Sequence, residues 1–275
     1  MTEQIEKSPP VTPLMRQFYA IKDKHPDKIL FFRMGDFYEM FGDDAVKAAP
    51  ILGIALTSRS QGATGPIPLA GVPYHAGDKY LARLLASGEK VVIVEQVEDP
   101  KLAKGIVKRE IVEILTPGTA TIDSPENDHK PLCLASIFMN KKNNMGLAAL
   151  DLSTGLFMID EGPVDEIIER LKVLEPSEIL YNSEQKKEIT TIQPAVTNGS
   201  GQLTEFESWH FDNKTANREL TQHFGTTTLE GFGISNSPLA VTAAGAIFKY
   251  LKENHRDQLK HINKIACFDN SEYMM

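Results

Sequence analysis

The apolar positions of this chain change period several times, and each change marks an element. Leu14, Met15, Phe18 and Ile21 recur at helical spacing behind Thr12-Pro13. Thr12 suits an N-cap and Pro13 the first helical position, and the helix must end before Pro26. Ile29-Leu30-Phe31-Phe32 is a continuous apolar run that predicts a buried strand, and Gly35-Asp36 then turns the chain. Alternation resumes at Phe37. Side chains at i and i+2 of a strand share a face, so Phe37, Glu39 and Phe41 point one way and Tyr38 and Met40 the other.

Further along, a helix is predicted over 43–52, with Asp43 and Asp44 at its positive end. A strand is expected at 54–57, then a loop over 58–62 that carries Arg59. Pro66 and Pro68 demote the next stretch to an edge strand or extended loop. A helix over 79–86 is capped by Asp78 and ended by Gly88. Strands follow at 91–94 and 111–115, and Thr116-Pro117-Gly118 closes this part. It reads as mixed α/β, a central sheet with helices against it. Residues 1–11 read as a flexible tail and 118–130 as a polar, turn-rich linker. Strands at 132–139, 145–152 and 156–159, a helix over 164–174 and a strand at 179–181 come next. Helices are expected over 213–224 and 238–254. Trp209, the only tryptophan, is expected as a core or interdomain anchor.

A length of 275 residues suits two domains with part of a third. The apolar run needed to cross a membrane is missing, and the N-terminus lacks the pattern of a secretory signal. Cys133 and Cys267 have no metal-ligand spacing and read as free thiols. The net charge of −8 argues against a DNA-binding chain until it is divided. Residues 1–120 hold 15 basic and 15 acidic side chains, and residues 121–275 hold 14 and 22. The first part is neutral and the second carries the whole acidic excess, so the second is poorly suited to tracking phosphates.

A phenyl ring and a carboxylate on one strand face have two readings. One is an edge strand with Phe37 in the core and Glu39 at its rim. The other is a probe for a nucleic-acid base, in which the ring wedges into the stack and the carboxylate bonds the base edge. The stretch Met34-Gly35-Asp36-Phe37-Tyr38-Glu39-Met40-Phe41 resembles the mismatch-probing motif of the MutS family of bacterial DNA mismatch-recognition proteins. Thr12–Met15, Pro68–Ala76, Glu95–Pro100 and Thr116–Thr119 resemble further blocks of that family in the same order.

The resemblance implies an α/β fold of two parts: an N-terminal mixed-sheet mismatch-recognition domain over 1–117, then an RNase H-like connector domain over 131–265. Residues 266–275 would start a truncated core domain. It implies mismatch binding by Phe37 and Glu39, with Met34, Asp36, Arg59, Tyr74, His75, Lys108 and Arg109 as secondary DNA contacts. Lys101 and Lys104 extend the basic cluster around Lys108. Tyr74 and His75 could equally be core and helix-entry residues. Partners implied are mismatched double-stranded DNA, a MutL-like protein through the connector, and a second copy in the full-length form. ATP and Mg would be held in the C-terminal part of the family, since no P-loop pattern occurs here, and the expected location is cytoplasmic. An alternative is a metal-dependent phosphodiesterase using Asp36, Glu39, Asp43 and Asp44, or Asp151 with Glu175 or Glu178. Another is a protein-interaction module without DNA binding of its own.

Overall fold

In the computed structural model of the chain, the described residues are 12–60, 65–98, 105–120, 133–197, 201–234, 236–254 and 259–268. They form two compact units, one running through Leu115 and one taking in Thr116 onward. The segment Thr116–Ala120, read from sequence as the end of the first part and the start of a linker, therefore packs with the second.

The first unit is a six-stranded mixed sheet in the order β3-β4-β2-β1-β5-β6. Its strands are β1 (Ile29–Met34), β2 (Phe37–Phe41), β3 (Thr57–Ser60), β4 (Pro66–Pro73), β5 (Val91–Gln96) and β6 (Arg109–Leu115). Helix α1 (Pro13–Lys22) begins as expected, with Thr12 Oγ1 accepting from Met15 N at 3.4 Å. It lays Met15 and Phe18 on one sheet face, against Leu30, Phe32, Phe41 and Val92. Phe18 meets Phe32 and Phe41 edge-on at 5.7 and 5.1 Å, contacts worth about 0.5–1.5 kcal/mol each beyond burial. Helices α2 (Asp43–Leu52) and α3 (Gly77–Ala86) pack against each other and against β2, β4 and β5.

Two expectations about the strands change. Arg59 lies on β3 rather than in a loop, because Ser58, Arg59 and Ser60 pair with Pro68, Ile67 and Pro66. β4 is an interior strand, not an edge. Its first half pairs with β3 and its second with β2, overlapping at Leu69. Pro66 and Pro68, which cannot donate, sit where the strand has one neighbour.

The second unit is a six-stranded sheet ordered β11-β10-β7-β8-β9-β12. β7 (Cys133–Met139), β8 (Asn144–Asp151) and β9 (Leu156–Pro163) form an antiparallel meander. β10 (Glu178–Asn182) joins β7 in parallel, and β11 (Gln202–Phe206) joins β10 in parallel. β12 (Ile265–Cys267) pairs with β9. Helices α4 (Val164–Leu174) and α5 (Lys186–Thr197) cover one face. The other is covered by α6 (Asn213–Phe224) and α7 (Pro238–Glu253). α7 lies directly on β8, since a Cβ at Gly146 would come within 2.2 Å of the Ala240 amide nitrogen. Its first free amides, Leu239 and Ala240, donate to Glu161 Oε2 at 2.8 and 3.2 Å, a carboxylate at the positive end of the helix. Trp209 is not in the core: it is 68% exposed on a 3-10 turn.

Candidate nucleic-acid interface

β1 and β2 form a hairpin closed by Gly35-Asp36, with Met34 opposite Phe37 and Phe32 opposite Glu39. Gly35 takes φ +58°, the positive value that two-residue hairpins need at their first central position. The pleat puts Phe37, Glu39 and Phe41 on the α1 face, as the alternation predicts. Along that row the surroundings differ sharply. Phe41 is 2% exposed beneath α1, whereas Phe37 is 47% exposed at the hairpin end. Phe37 is thus not a core residue, and β2 is not an edge strand.

Around Phe37 and Glu39 the neighbouring strands supply a specific set of groups. Gly71 on β4 lies opposite Glu39 and offers no side chain. Arg59 on β3 donates from Nη1 to Glu39 Oε2 at 3.1 Å. Met34 flanks Phe37 and accepts from Arg109 Nη2 through its sulfur at 3.4 Å. The Arg109 guanidinium also donates to the Arg33 carbonyl at 2.7 Å, the Val107 carbonyl at 2.9 Å and Gln17 Oε1 at 3.3 Å. It lies over the Phe32 ring at 5.1 Å. Arg109 therefore ties β6, β1 and α1 together, and a phosphate would have to compete with those bonds. Burial raises the Glu39 carboxyl above the usual range and outweighs the lowering by Arg59 and Arg109.

Tyr74 and His75 are placed elsewhere. Arg33 shares the face of Tyr38, opposite to Phe37. Its guanidinium stacks on the Tyr74 ring at 3.5 Å and pairs with Glu95 at 3.8 Å. Glu95 accepts a short hydrogen bond from the Tyr38 hydroxyl, and burial, reinforced by that bond, raises the Tyr38 pKa. Tyr74 N donates to the Asp36 carbonyl at 2.9 Å, so Tyr74 meets the hairpin turn from behind. His75 and Asp36 are exposed. Lys108 is exposed and ion-paired with Glu110, and its amide donates to Glu98 at 2.7 Å. Lys101 and Lys104 lie outside the described residues. Gly71 and the Glu39–Arg59 pair are the features sequence reasoning did not find, because they depend on strand register.

The carboxylates weighed for phosphodiester chemistry do not converge. Asp44 is buried, accepting from Lys22 Nζ at 2.6 Å and Leu30 N at 3.1 Å. Asp151 accepts from Ser153 N and Oγ at 2.8 and 2.6 Å and closes the β8–β9 turn. Asp151 pairs with Cys133 and Glu178 with Leu134. Those β7 residues are adjacent, so the two carboxylates project from opposite faces. Glu178 is fully buried. Among the described residues no group of three or more His, Cys, Asp or Glu side chains is placed to hold a metal ion.

Comparison with known proteins covers both units. MutS domain I matches residues 12–124 and MutS domain II matches residues 132–263. A DNA mismatch repair protein MutS of Porphyromonas gingivalis is 41% identical over 263 residues, covering 96% of this chain and 29% of that protein. One of Chlorobaculum parvum is 42% identical over 267 residues, covering 96% of this chain and 30% of that protein. The chain spans less than a third of the length of these relatives.

Proposed function

The chain belongs to the MutS family, and from that membership we propose that its first unit senses mismatched or unpaired bases in duplex DNA through Phe37 and Glu39. The observation that carries this reading is a phenyl ring left 47% exposed beside a partly buried carboxylate, in a row whose third member is core. Phe37 enters from the minor groove and stacks on a mispaired base. Unstacking a step costs a few kcal/mol, and less where pairing and stacking are already lost. Discrimination then comes from how easily the step deforms, without reading a base sequence. An ionised Glu39 only accepts hydrogen bonds, while a protonated one also donates to an acceptor on the base. The burial that raises its pKa favours the donating form.

A neutral first unit supplies little general attraction for phosphates, so binding by this chain is weak and the flawed step supplies the difference. The second unit, with its acidic excess, is assigned to protein contacts, including a MutL-like partner. Homodimer formation and the use of ATP and Mg belong, on this reading, to the whole protein, and its place is the cytoplasm. Among the described residues no helix is long and apolar enough to cross a membrane. The test is fluorescence anisotropy with a labelled duplex that is intact, carries a G·T pair, or carries an unpaired T, at two salt concentrations. Preference for the flawed duplexes that disappears in Phe37→Ala is expected. Unchanged preference in Phe37→Ala refutes the probe.

A further inference from the structure

We propose that Arg59 is a specificity-determining residue that holds the Glu39 carboxylate on intact DNA and passes to a phosphate when Glu39 engages a base. This rests on the reading of Phe37 and Glu39 as the probe. Three observations carry it. First, β3, β4 and β2 bring Arg59 and Glu39 to the same sheet face, and the guanidinium reaches Glu39 Oε2 at 3.1 Å. Second, the two ends of the pair differ in access: the Arg59 side chain is 43% exposed and that of Glu39 only 20%. The cation can therefore swing to solvent or to a strand backbone while the carboxylate stays in place. Third, among the described residues the charged groups acting on Glu39 are Arg59 from β3 and Arg109 from β6. Arg109 is committed to backbone carbonyls and Gln17, which leaves Arg59 as the one of these two cations able to exchange.

The consequence is signed. On an intact duplex no base edge is offered, so Glu39 remains a carboxylate facing phosphates and Arg59 is its shield. On a flawed duplex Glu39 is satisfied by the base, and Arg59 contributes one phosphate contact. Removing Arg59 then weakens binding to both duplexes, but weakens the intact one more. A cation on a DNA-binding face thus works against discrimination. An ordinary phosphate contact would lower both affinities by the same factor and leave the preference unchanged.

The experiment uses the whole chain and the anisotropy assay, with Arg59→Gln, Glu39→Gln and the double variant. Arg59→Gln is expected to raise the flawed-to-intact preference by about two- to fivefold, the scale of a partly exposed ion pair. In the Glu39→Gln background the same substitution should leave the preference unchanged. Equal losses on both duplexes in both backgrounds overturn the proposal. A second measurement needs no DNA: pH titration of the Glu39 side-chain carboxyl by carbon-13 NMR. Loss of the pair in Arg59→Gln should move its midpoint upward, and Arg59→Lys should restore it in part. An unmoved midpoint overturns the proposal by itself. Failure of the probe reading looks different, because Phe37→Ala would then keep its preference whatever Arg59 does.

Discussion

Glu178 offers the sharpest test of how the second unit is held together. Its side chain is completely buried on β10. Oε2 accepts from Thr116 Oγ1 at 2.6 Å and from the Gly118 amide at 3.1 Å. Oε1 accepts from Thr204 Oγ1 at 2.6 Å and from the Tyr250 hydroxyl at 2.7 Å. One carboxylate thus gathers the segment after β6, strand β11 and helix α7. In Glu178→Ala the Thr116 and Thr119 hydroxyls, already 2.9 Å apart, can pair with each other. The Gly118 amide can only donate, and leaving it unpaired costs about 1–3 kcal/mol. The bonds from Thr116, Thr204 and Tyr250 are lost as well, at about 1.5–3 kcal/mol for each hydrogen bond to a charged group, and the carboxylate no longer has to be desolvated, so the net loss is about 3–5 kcal/mol.

Glu178→Gln should cost much less. An amide oxygen in place of Oε2 still accepts from Thr116 and Gly118. The amide nitrogen in place of Oε1 faces two hydroxyls, which can turn and accept. A loss of about 1–2 kcal/mol follows from exchanging charged for neutral hydrogen bonds. The assay is urea unfolding read by hydrogen exchange, peptide by peptide, so that each unit reports separately. With a slope of about 1–3 kcal/mol per molar, the second unit's midpoint should fall by about 1–5 M in Glu178→Ala and the first unit's should stay. A deficit below about 1 kcal/mol, or equal deficits for Ala and Gln, would refute the argument that an unturnable amide dominates.

Two further outcomes follow from the same geometry. Glu39→Gln should hold or tighten binding to intact duplex while lowering the flawed-to-intact preference, because a carboxylate near phosphates is replaced by a neutral group; anisotropy giving equal preferences for both proteins would count against it. Burial alone would raise the Asp151 pKa, but the Ser153 and Thr154 hydrogen bonds hold it below the usual range. That stability is present above the unfolded value and is lost as pH falls through the folded one, hence below about pH 4. The deficit of Asp151→Asn against wild type should therefore shrink on acidification from neutral to strongly acidic urea titrations, and a constant deficit would show that the carboxylate's charge is irrelevant.

Much of the fold was legible because burial leaves a periodic trace. The α1 cap, the β1 run, the β7–β9 meander and helices α4, α6 and α7 all carry continuous or periodic apolar signals. The elements that sequence reasoning missed carry little of it. α5 includes Pro194 within a polar run, β11 begins with a glutamine, and β12 has three residues. β3 misled in a different way. Ile54-Ala55-Leu56 has the apolar character of a strand, but Ser58-Arg59-Ser60 has the partner. Thr116-Pro117-Gly118 looks like a chain break because the acceptor that fixes it, Glu178, lies 60 residues beyond Gly118.

The candidate interface shows where periodicity stops being informative. Alternation assigns Phe37, Glu39 and Phe41 to one face and cannot rank them. What separates a core phenylalanine from an exposed one is the reach of α1, which sets Phe18 5.1 Å from the Phe41 ring while Phe37 stays open. That depends on where a helix lands on a sheet, not on local pattern. The same holds for charge. Glu39 and Arg59 are 20 residues apart, and β4 separates their strands, so their pairing follows from two registers at once. An exposed aromatic costs hydrophobic stabilisation, about 1.5–3 kcal/mol for a ring left in water. On the proposed reading, DNA supplies from outside the chain the contact that Phe37 lacks within it. The ring that α1 leaves uncovered is, on that reading, the one that meets the base.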